Sequence, residues 1–443
     1  MTRKEQPKQS LFNILRSLPG LMLLVSFLLM ACKQDHMTAE ETDESVFENL
    51  DNDIIIDLNS LTYTIANAHD QFLSFIGVRA LAMTHLVIHD AFNAIEPKYE
   101  SYAFTGKYDN ADPIAAAAQA ARVVLVTAYP DRKDTIDAVC NPWLASVEDG
   151  EAKTKGIALG NLSAEKIIEM REGDGHEKNG DYTPMTKPGD YQYTPGFDWV
   201  WKPDFSYARP FTLDSLTQFR SPPPPVLDSE EYAASYNEVK AYGCKGSKVR
   251  SEDETNYAHW WAEFAEHGWN RIGRITAAER DLPIMETAHM FALINMNIYD
   301  MYLVSFDSKY HYDTWRPVTA IQQGDINNNS ETEADPGWEP EMLTPPWPEY
   351  PSAHAAVAAG GAEIVSHVYG STEVSFTMES VAALPTAKSR TYHHLDSAAN
   401  DCASSRVMNG FHFRFATEEG KAQGRKVAQH VIAHYLRPLN EVE

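Results

Sequence analysis

Apolar residues recur at three- and four-residue steps along most of this chain, while strictly alternating, strand-like runs are scarce. The period predicts amphipathic helices over residues 78–95, 113–128, 152–170, 230–242, 252–268, 277–307, 352–368 and 418–436. Helices that each carry one apolar face must bury it against one another, so we predict an all-α fold of packed helical bundles. We expect a single domain over residues 56–443, with helices and a long loop in 56–225 and a second set of helices in 226–443.

The longest stretch without a helical period covers residues 173–225 and is dense in Pro, Gly, Tyr and Trp. Loops of this length in a compact protein commonly cover a functional site. The aromatic residues of the loop either line the entrance to a pocket or pin the loop to the helices, and the pattern favours neither. These residues are Tyr182, Tyr191, Tyr193, Phe197, Trp199 and Trp201.

The N-terminus has the pattern of a bacterial lipoprotein signal. A basic region precedes an apolar run over residues 18–31, and the sequence Leu-Met-Ala-Cys ends that run at Cys32. The run is short for a membrane span, so a cleaved signal peptide over residues 1–31 is favoured over a retained anchor. We predict lipidation of Cys32, a flexible tether over residues 32–55, and an extracytoplasmic, membrane-anchored lipoprotein in the periplasm or at the cell surface.

The balance of charge narrows the possible partners. The formal net charge is −26 at pH 7, and a surface of this sign repels nucleic acid and anionic lipid. Beyond the signal, apolar runs fall short of membrane-spanning length, which predicts membrane contact through the lipid anchor only. The cysteines that follow Cys32 allow at most one disulfide and do not form a metal-binding pattern; they are Cys140, Cys244 and Cys402.

Three short segments in the last third of the chain place cations and histidines at fixed spacings. They are K-x6-R-P at Lys309, Arg316 and Pro317, P-S-x-H at residues 351–354, and S-R-x5-H at Ser405, Arg406 and His412. Each segment alone could be a surface ion pair, a helix start or a core histidine. Together, the three cations suit an anion with two or three negative charges, so we predict a single oxyanion site.

Local structure can be predicted for two of the segments. Lys309 and Arg316 are seven residues apart, so on a helix they share a face, and Pro317 is expected to end that helix. Ser352 is expected to cap a helix that begins at Ala353. Its first backbone N–H groups and positive dipole end would form part of the anion site.

In this order the three motifs resemble the signature shared by vanadium-dependent haloperoxidases and type 2 phosphatidic acid phosphatases. The resemblance extends over most of the chain beyond the N-terminal segment and is closer to bacterial haloperoxidase-like members than to short membrane-embedded phosphatases. It implies a haloperoxidase-like all-α fold with long loops over the active site. Two positions depart from the pattern: Ala353 stands where glycine is usual, and Ala416 where relatives often have aspartate, so that carboxylate is missing or comes from elsewhere.

The resemblance also implies roles for the site residues. Vanadate would be the cofactor, with His412 as its metal ligand and His354 as the acid–base group toward peroxide. Lys309 is expected to be catalytic as well, by hydrogen-bonding the peroxide. The residues expected to hold the oxyanion are Lys309, Arg316, Ser352, Ala353 and Arg406. From their positions beside the motifs, Trp347 and Phe306 are candidates for a halide or substrate pocket.

Three functions follow from such a site. The first is a vanadate-dependent haloperoxidase that oxidises halide with hydrogen peroxide to hypohalous acid equivalents and thereby halogenates a small organic acceptor. The second is an acid phosphatase for phosphate monoesters, with His412 as nucleophile, His354 as general acid and only phosphate in the site. The third is a non-catalytic lipoprotein that binds an oxyanion.

Overall fold

The computed structural model describes residues 45–70, 75–178 and 180–439. Within these ranges the chain forms thirteen α-helices and one two-stranded antiparallel sheet, so the predicted all-α fold is confirmed. The helices are α1 Asp53–Asp70, α2 Ile76–Ile95, α3 Pro113–Ala128, α4 Lys133–Ser146, α5 Glu151–Met170, α6 Glu230–Tyr242, α7 Glu252–Trp260, α8 Ala265–Glu279, α9 Ile284–Tyr312, α10 Pro317–Gln322, α11 Ala353–Tyr369, α12 Leu395–Met408 and α13 Arg414–His434. The strands are β1 Phe376–Glu379 and β2 Ser389–Tyr392, and short 3₁₀ helices lie at Pro130–Arg132, Phe205–Tyr207, Leu216–Phe219 and Gly324–Ile326.

Helix α9 is the centre of the fold. It is buried along nearly its whole length, and its buried residues lie on all sides of the helix, as expected for a helix surrounded by others. Helix α2, which also packs on α3 and α5, lies against α9, and so do α11 and α13. One apolar core consequently runs from Phe47 to Leu436. Because Phe47 belongs to this core and α1 begins at Asp53, ordered structure starts ahead of residue 56, where the sequence places the start of the domain.

Two glycines let α13 lie directly against the start of α11. A Cβ at Gly424 would be 2.0 Å from the carbonyl oxygen of Ala356, and one at Gly420 would be 2.4 Å from that of Ser352. Side chains at these positions would push the helices apart. The glycines of α13 therefore help to place the first turn of α11, which carries the second motif.

The helix bounds predicted over residues 252–268 and 277–307 are wrong. The structure has a turn after α7, a new helix α8, and a second break before α9. Asp281 adopts a left-handed conformation (φ 48°), and Pro283 precedes α9, so the helix cannot continue through this segment. Helix α12 was also not predicted, because its buried residues are mostly small and do not form an apolar stripe.

None of the helices in the described part of the chain is long and apolar enough to cross a membrane. The predicted signal peptide of residues 1–31, the lipidation site Cys32 and most of the predicted tether lie outside the described residues.

Candidate active site

The three sequence motifs converge in the C-terminal half of the fold. Lys309 lies in the last turn of α9, Ser352 and His354 lie at the start of α11, and Arg406 lies in the last turn of α12. His412 follows in the connection between α12 and α13. Side chains far apart in sequence are thus brought together by helix ends, where backbone groups remain available for binding.

The first motif does not form a single helix, and the prediction that Lys309 and Arg316 share a helix face is wrong. Asp313 ends α9 in a left-handed conformation (φ 48°, ψ 46°), and its N–H donates to the Lys309 carbonyl. Arg316 has an extended backbone and Pro317 is the first residue of α10. Proline is favoured at that position because its ring pre-sets the helical φ, so Pro317 begins a helix rather than ending one.

Ser352 caps α11, as the sequence predicts. Its Oγ accepts a hydrogen bond from the Ala355 amide at 3.4 Å, and Ala353 is the first residue of the helix. The first N–H groups of a helix point out of its start, so α11 offers amide donors and a positive dipole end to an anion. Ala353 has ordinary helical geometry, and the glycine usual in the resembled motif is not required.

Two buried guanidinium groups, Arg316 and Arg406, contribute further donors. Arg316 donates through Nε to the Trp347 carbonyl at 2.7 Å and through Nη1 to the Phe411 carbonyl at 2.9 Å. Arg406 donates through Nη1 to the Trp261 carbonyl at 2.8 Å. The remaining buried nitrogens, Nη2 of Arg316 and Nε of Arg406, have no hydrogen-bond partner among the described residues. Because an unpaired buried donor is costly, these two groups fit an acceptor that binds from outside the chain.

Lys309 is fully buried and its ammonium group is held by backbone carbonyls. Nζ donates to the carbonyl oxygens of Pro348, Glu349 and Pro351 at 3.2, 2.8 and 2.5 Å. An ammonium has three N–H groups, so all of them are directed at this segment. Burial, followed by repulsion from Arg316, lowers the Lys309 pKa well below its usual value. A direct hydrogen bond from Lys309 to an anion, as the sequence predicts, would require one of these three contacts to break. With the contacts intact, Lys309 positions the segment before Ser352 and adds positive charge.

The two ring nitrogens of His412 have different partners, which fixes the tautomer. Nδ1 lies 2.8 Å from Oε1 of Glu349, and Nε2 lies 3.2 Å from Nη1 of Arg316. A guanidinium nitrogen can only donate, so Nε2 carries the lone pair and Nδ1 carries the proton. Burial, and then the charge of Arg316, lowers the pKa of His412 well below its usual value, which keeps the ring neutral. A neutral imidazole with a fixed lone pair is the form that ligates a metal or acts as a nucleophile.

Glu349, to which no motif in the sequence points, is the carboxylate that orients His412. Its Oε1 accepts hydrogen bonds from Nδ1 of His412 at 2.8 Å and from the Phe413 amide at 3.0 Å. Burial raises the pKa of Glu349 to about 7, although the charges of Lys309 and Arg316 oppose the shift. The only signal for this role in the sequence is an acidic residue within the proline-rich stretch just before the second motif.

The position where relatives often have aspartate has a different contact here. Ala416 is buried, and its carbonyl oxygen accepts a hydrogen bond from the Ser352 amide at 3.0 Å. The carboxylate that contacts His412 comes instead from Glu349. Of the two alternatives left open by the sequence, the structure therefore favours a carboxylate supplied from elsewhere.

His354 is oriented by the turn before α8. Its Nε2 lies 3.1 Å from the carbonyl oxygen of Glu263. A carbonyl can only accept, so Nε2 carries the proton and Nδ1 carries the lone pair. Burial and the charge of Arg406 lower the pKa of His354 well below its usual value. The side chain lines the same cavity as His412, with a nitrogen able to accept a proton.

That cavity has a volume of about 280 Å³ and lies beside both histidines. The two residues predicted for a halide or substrate pocket, Trp347 and Phe306, are both part of its wall. Ala353 and Arg406 also line it. Among the described residues, Lys309, Arg316 and Ser352 do not line the cavity. Arg316 contacts the wall through the carbonyl oxygens of Trp347 and Phe411.

The aromatic loop of residues 173–225 fulfils both of its predicted alternatives. Trp201 lines the cavity, with its ring 4.8 Å from that of Trp347. Tyr191 instead pins the loop, because it is buried and its amide donates to the Asp313 carbonyl at 2.7 Å. Trp199 does neither and is 46% exposed.

Comparison with known proteins finds the same fold in structures of vanadium haloperoxidases. Residues 289–441, which contain all three motifs, match the family model of the VCPO second helical-bundle domain. The first bacterial vanadium-dependent iodoperoxidase of known structure is similar with a TM-score of 0.76 and 23% identity, over 89% of this chain and 99% of that one. None of the curated proteins compared with this chain matches it significantly.

Two further structures have the same fold. The holo-type bacterial vanadium-dependent chloroperoxidase has a TM-score of 0.64 and 16% identity, over 81% of this chain and 91% of that one. The apo-type has a TM-score of 0.63 and 16% identity, over 80% and 92%. These likenesses establish the fold, and residues 289–441 match the model of one helical-bundle domain. The chain therefore has the all-α haloperoxidase fold.

Proposed function

We propose that this protein is a vanadate-dependent haloperoxidase that oxidises a halide with hydrogen peroxide. The observation that carries the proposal is the lone pair on Nε2 of His412, whose tautomer is fixed by Glu349. His412 lines one cavity with Arg406, and both Arg406 and the neighbouring Arg316 have an unpaired buried nitrogen. A neutral nitrogen ligand with hydrogen-bond donors around it is the set that an oxyanion of a metal requires.

The residues present fit vanadate once Nε2 of His412 gives up its contact with Nη1 of Arg316. His412 would be its metal ligand, and its oxygens would accept hydrogen bonds from the Ala353 amide and the free guanidinium nitrogens of Arg316 and Arg406. Lys309 would offset its negative charge from behind the wall. When bound, vanadate would supply a Lewis acid that polarises hydrogen peroxide toward attack by a halide.

His354 is the residue suited to move protons in this reaction. Its Nδ1 can accept a proton from hydrogen peroxide as the peroxide binds and can return a proton to the oxygen that leaves as water. Oxidation of a halide by hydrogen peroxide consumes one proton and yields hypohalous acid and water. The consumed proton comes from solvent, and a general acid–base group at the cavity wall can pass protons to the leaving oxygen.

An acid phosphatase is the second candidate, because the same lone pair of His412 could attack phosphorus while His354 protonates the leaving group. The experiment that separates the two functions uses purified protein with and without orthovanadate. Bromide and iodide oxidation by peroxide is measured beside hydrolysis of p-nitrophenyl phosphate. We expect vanadate-dependent halide oxidation that disappears in His412→Ala and persists in His434→Ala, an exposed histidine on α13.

Two results would contradict the haloperoxidase proposal. Phosphate-ester hydrolysis that depends on His412, without peroxide-dependent halide oxidation, would identify a phosphatase. Vanadate binding without either activity would identify a non-catalytic oxyanion-binding protein.

We also propose an extracytoplasmic location, with the protein tethered through a lipidated Cys32. The proposal is supported by the basic and apolar pattern of residues 1–31 and the residues before Cys32. It is chemically consistent with the proposed activity, since hypohalous acid reacts with many cell components and is best produced outside the cytoplasm.

A further inference from the structure

The cavity beside His354 and His412 has a wall of aromatic rings from widely separated parts of the chain. The rings of Phe75 and Trp201 are stacked 4.5 Å apart, and Trp201 lies 4.8 Å from Trp347. Halide and peroxide are small and polar, and neither requires such a wall. The complete set of aromatic wall residues is Phe75, Trp201, Phe264, Tyr302, Phe306, Trp347 and Phe411.

The backbone of Phe75 is held in an uncommon conformation at this wall. Its φ and ψ of 62° and 0° are left-handed, which is unfavourable for a residue with a bulky side chain. Such conformations persist where the surroundings enforce them, and they cluster at ligand-binding sites. The Phe75 ring is 2% exposed and packs against Phe205 at 3.9 Å, so the wall is a rigid, preformed surface.

One carboxyl group lies in this aromatic wall and has no task in halide oxidation. Glu266 is 2% exposed, lines the cavity, and accepts a hydrogen bond through Oε2 from the hydroxyl of Tyr302, which is also buried. The side-chain partner of Glu266 is thus a neutral hydroxyl and not a lysine or arginine. Burial raises its pKa to about 7. A buried carboxyl without a cation is costly, and a carboxylate has more acceptor sites than the one that Tyr302 occupies.

We propose that this cavity binds a hydroxylated aromatic molecule, with its ring among the aromatic side chains and its hydroxyl donating to Glu266. The volume of about 280 Å³ is at the lower end for small-molecule sites, which fits a molecule of one or two rings. Contacts between aromatic rings stabilise a complex by more than the burial of their apolar surface alone. The hydroxyl on Glu266 orients the ring beside the two histidines.

The inference rests on the proposed function and names its organic acceptor. A phenol bound here lies beside the place where a halide would be oxidised. In the transfer, the oxygen–halogen bond of hypohalous acid breaks and a ring carbon–halogen bond forms. The displaced ring proton combines with the released hydroxide as water, so no further oxidant is needed. Halogenation of a held ring would favour one ring position, whereas free hypohalous acid would not.

Binding can be tested in metal-free protein, so that the outcome does not depend on haloperoxidase activity. The probes are 2-naphthol and 2-methoxynaphthalene, which have the same rings but differ in the hydroxyl donor, and binding is measured by calorimetry and tryptophan fluorescence. We expect wild type to prefer 2-naphthol by about tenfold, the effect of one hydrogen bond to a charged group. Glu266→Gln, which keeps the shape and an acceptor for Tyr302, should lose most of that preference.

Two further variants locate the probes. Leu343 is 70% exposed at the mouth of the cavity, so Leu343→Trp should fold normally, obstruct entry and weaken both probes. Glu151→Gln, which removes an exposed carboxylate of α5 paired with Lys155, should change neither. The inference is overturned if wild type binds neither probe, if Glu266→Gln keeps the full preference for 2-naphthol, or if Leu343→Trp binds both as wild type does. Intact 2-naphthol binding without halide oxidation would instead count against the proposed function alone.

Discussion

Glu349→Gln tests whether the orientation of His412 decides which oxyanion the site prefers. Glutamine has the same shape, but its amide can donate to Nδ1 as well as accept from it, so the proton of His412 is no longer held on Nδ1. The wild-type contact is a charge-assisted hydrogen bond of 2.8 Å, which contributes about 1.5–3 kcal/mol. Orthovanadate ligated by Nε2 should therefore bind about 10–100-fold more weakly to Glu349→Gln.

Phosphate should respond in the opposite direction. The substitution removes a negative charge beside Lys309 and Arg316, both of which interact electrostatically with Glu349. An anion held by hydrogen bonds and charge alone, without a bond to His412, then meets less repulsion. Phosphate should consequently bind to Glu349→Gln at least as tightly as to wild type, so the ratio of the two affinities measures ligation by His412.

Calorimetric titration with orthovanadate and with phosphate provides both affinities, and thermal unfolding checks that the variant is folded. Glu341→Gln is a matched control, because Oε1 of Glu341 lies 3.1 Å from Nε2 of His259, outside the three motifs. It removes a second glutamate–histidine contact and should leave both affinities unchanged. If Glu349→Gln binds vanadate as tightly as wild type, or loses affinity for both ions equally, the tautomer argument is refuted.

Three other predictions address chemistry, packing and anchoring. His354→Ala should retain vanadate, as measured by metal analysis after gel filtration. Its rate of halide oxidation should fall by a factor of about 10²–10⁴ because the general acid–base group is gone, and full activity would contradict this. Gly424→Ala should destabilise the protein by about 1–3 kcal/mol in chemical denaturation, since its Cβ would meet the Ala356 carbonyl oxygen at 2.0 Å. Gly337→Ala, where the added Cβ would be 3.6 Å from its nearest neighbour, Oδ1 of Asp335, should unfold like wild type. Cys32→Ser should release the protein from membranes on fractionation, and unchanged membrane association would disprove lipidation at this residue.

Several elements could be predicted from local pattern because their physical causes are local. Ser352 begins α11 as predicted, since a serine before an alanine-rich run is a favourable N-cap. The predicted helices over 113–128 and 230–242 have the bounds of α3 and α6, because each is amphipathic and begins at a capping residue, Asp112 or Ser229. The spacing of charged groups and histidines predicted an oxyanion site, and the structure brings Arg316 of the first motif within 3.2 Å of His412 of the third.

Other features were missed because they depend on tertiary contacts. Helix α12 has little amphipathic character, since small residues such as Ala399 and Ala403 face neighbouring helices on several sides. The contact of Glu349 with His412 joins residues 63 positions apart, and no local pattern reports it. The role of Pro317 was inverted because a proline after an arginine fits a helix end and a helix start equally well, and only the left-handed Asp313 distinguishes them.

The three buried cations of the site link the stability of the fold to the supply of anions. The charge of Arg316 lowers the pKa values of Lys309 and Arg406, and all three cations lower the pKa of His412. Glu349 is the carboxylate that lies near these groups. Their mutual repulsion opposes folding until an anion offsets it. An oxyanion that binds only the folded chain contributes about 2.7 kcal/mol to the free energy of unfolding at a concentration of 100 Kd. The chain would therefore be most resistant to unfolding and proteolysis in surroundings rich in vanadate or phosphate. Scarcity of these anions would shorten its lifetime as well as limit its activity.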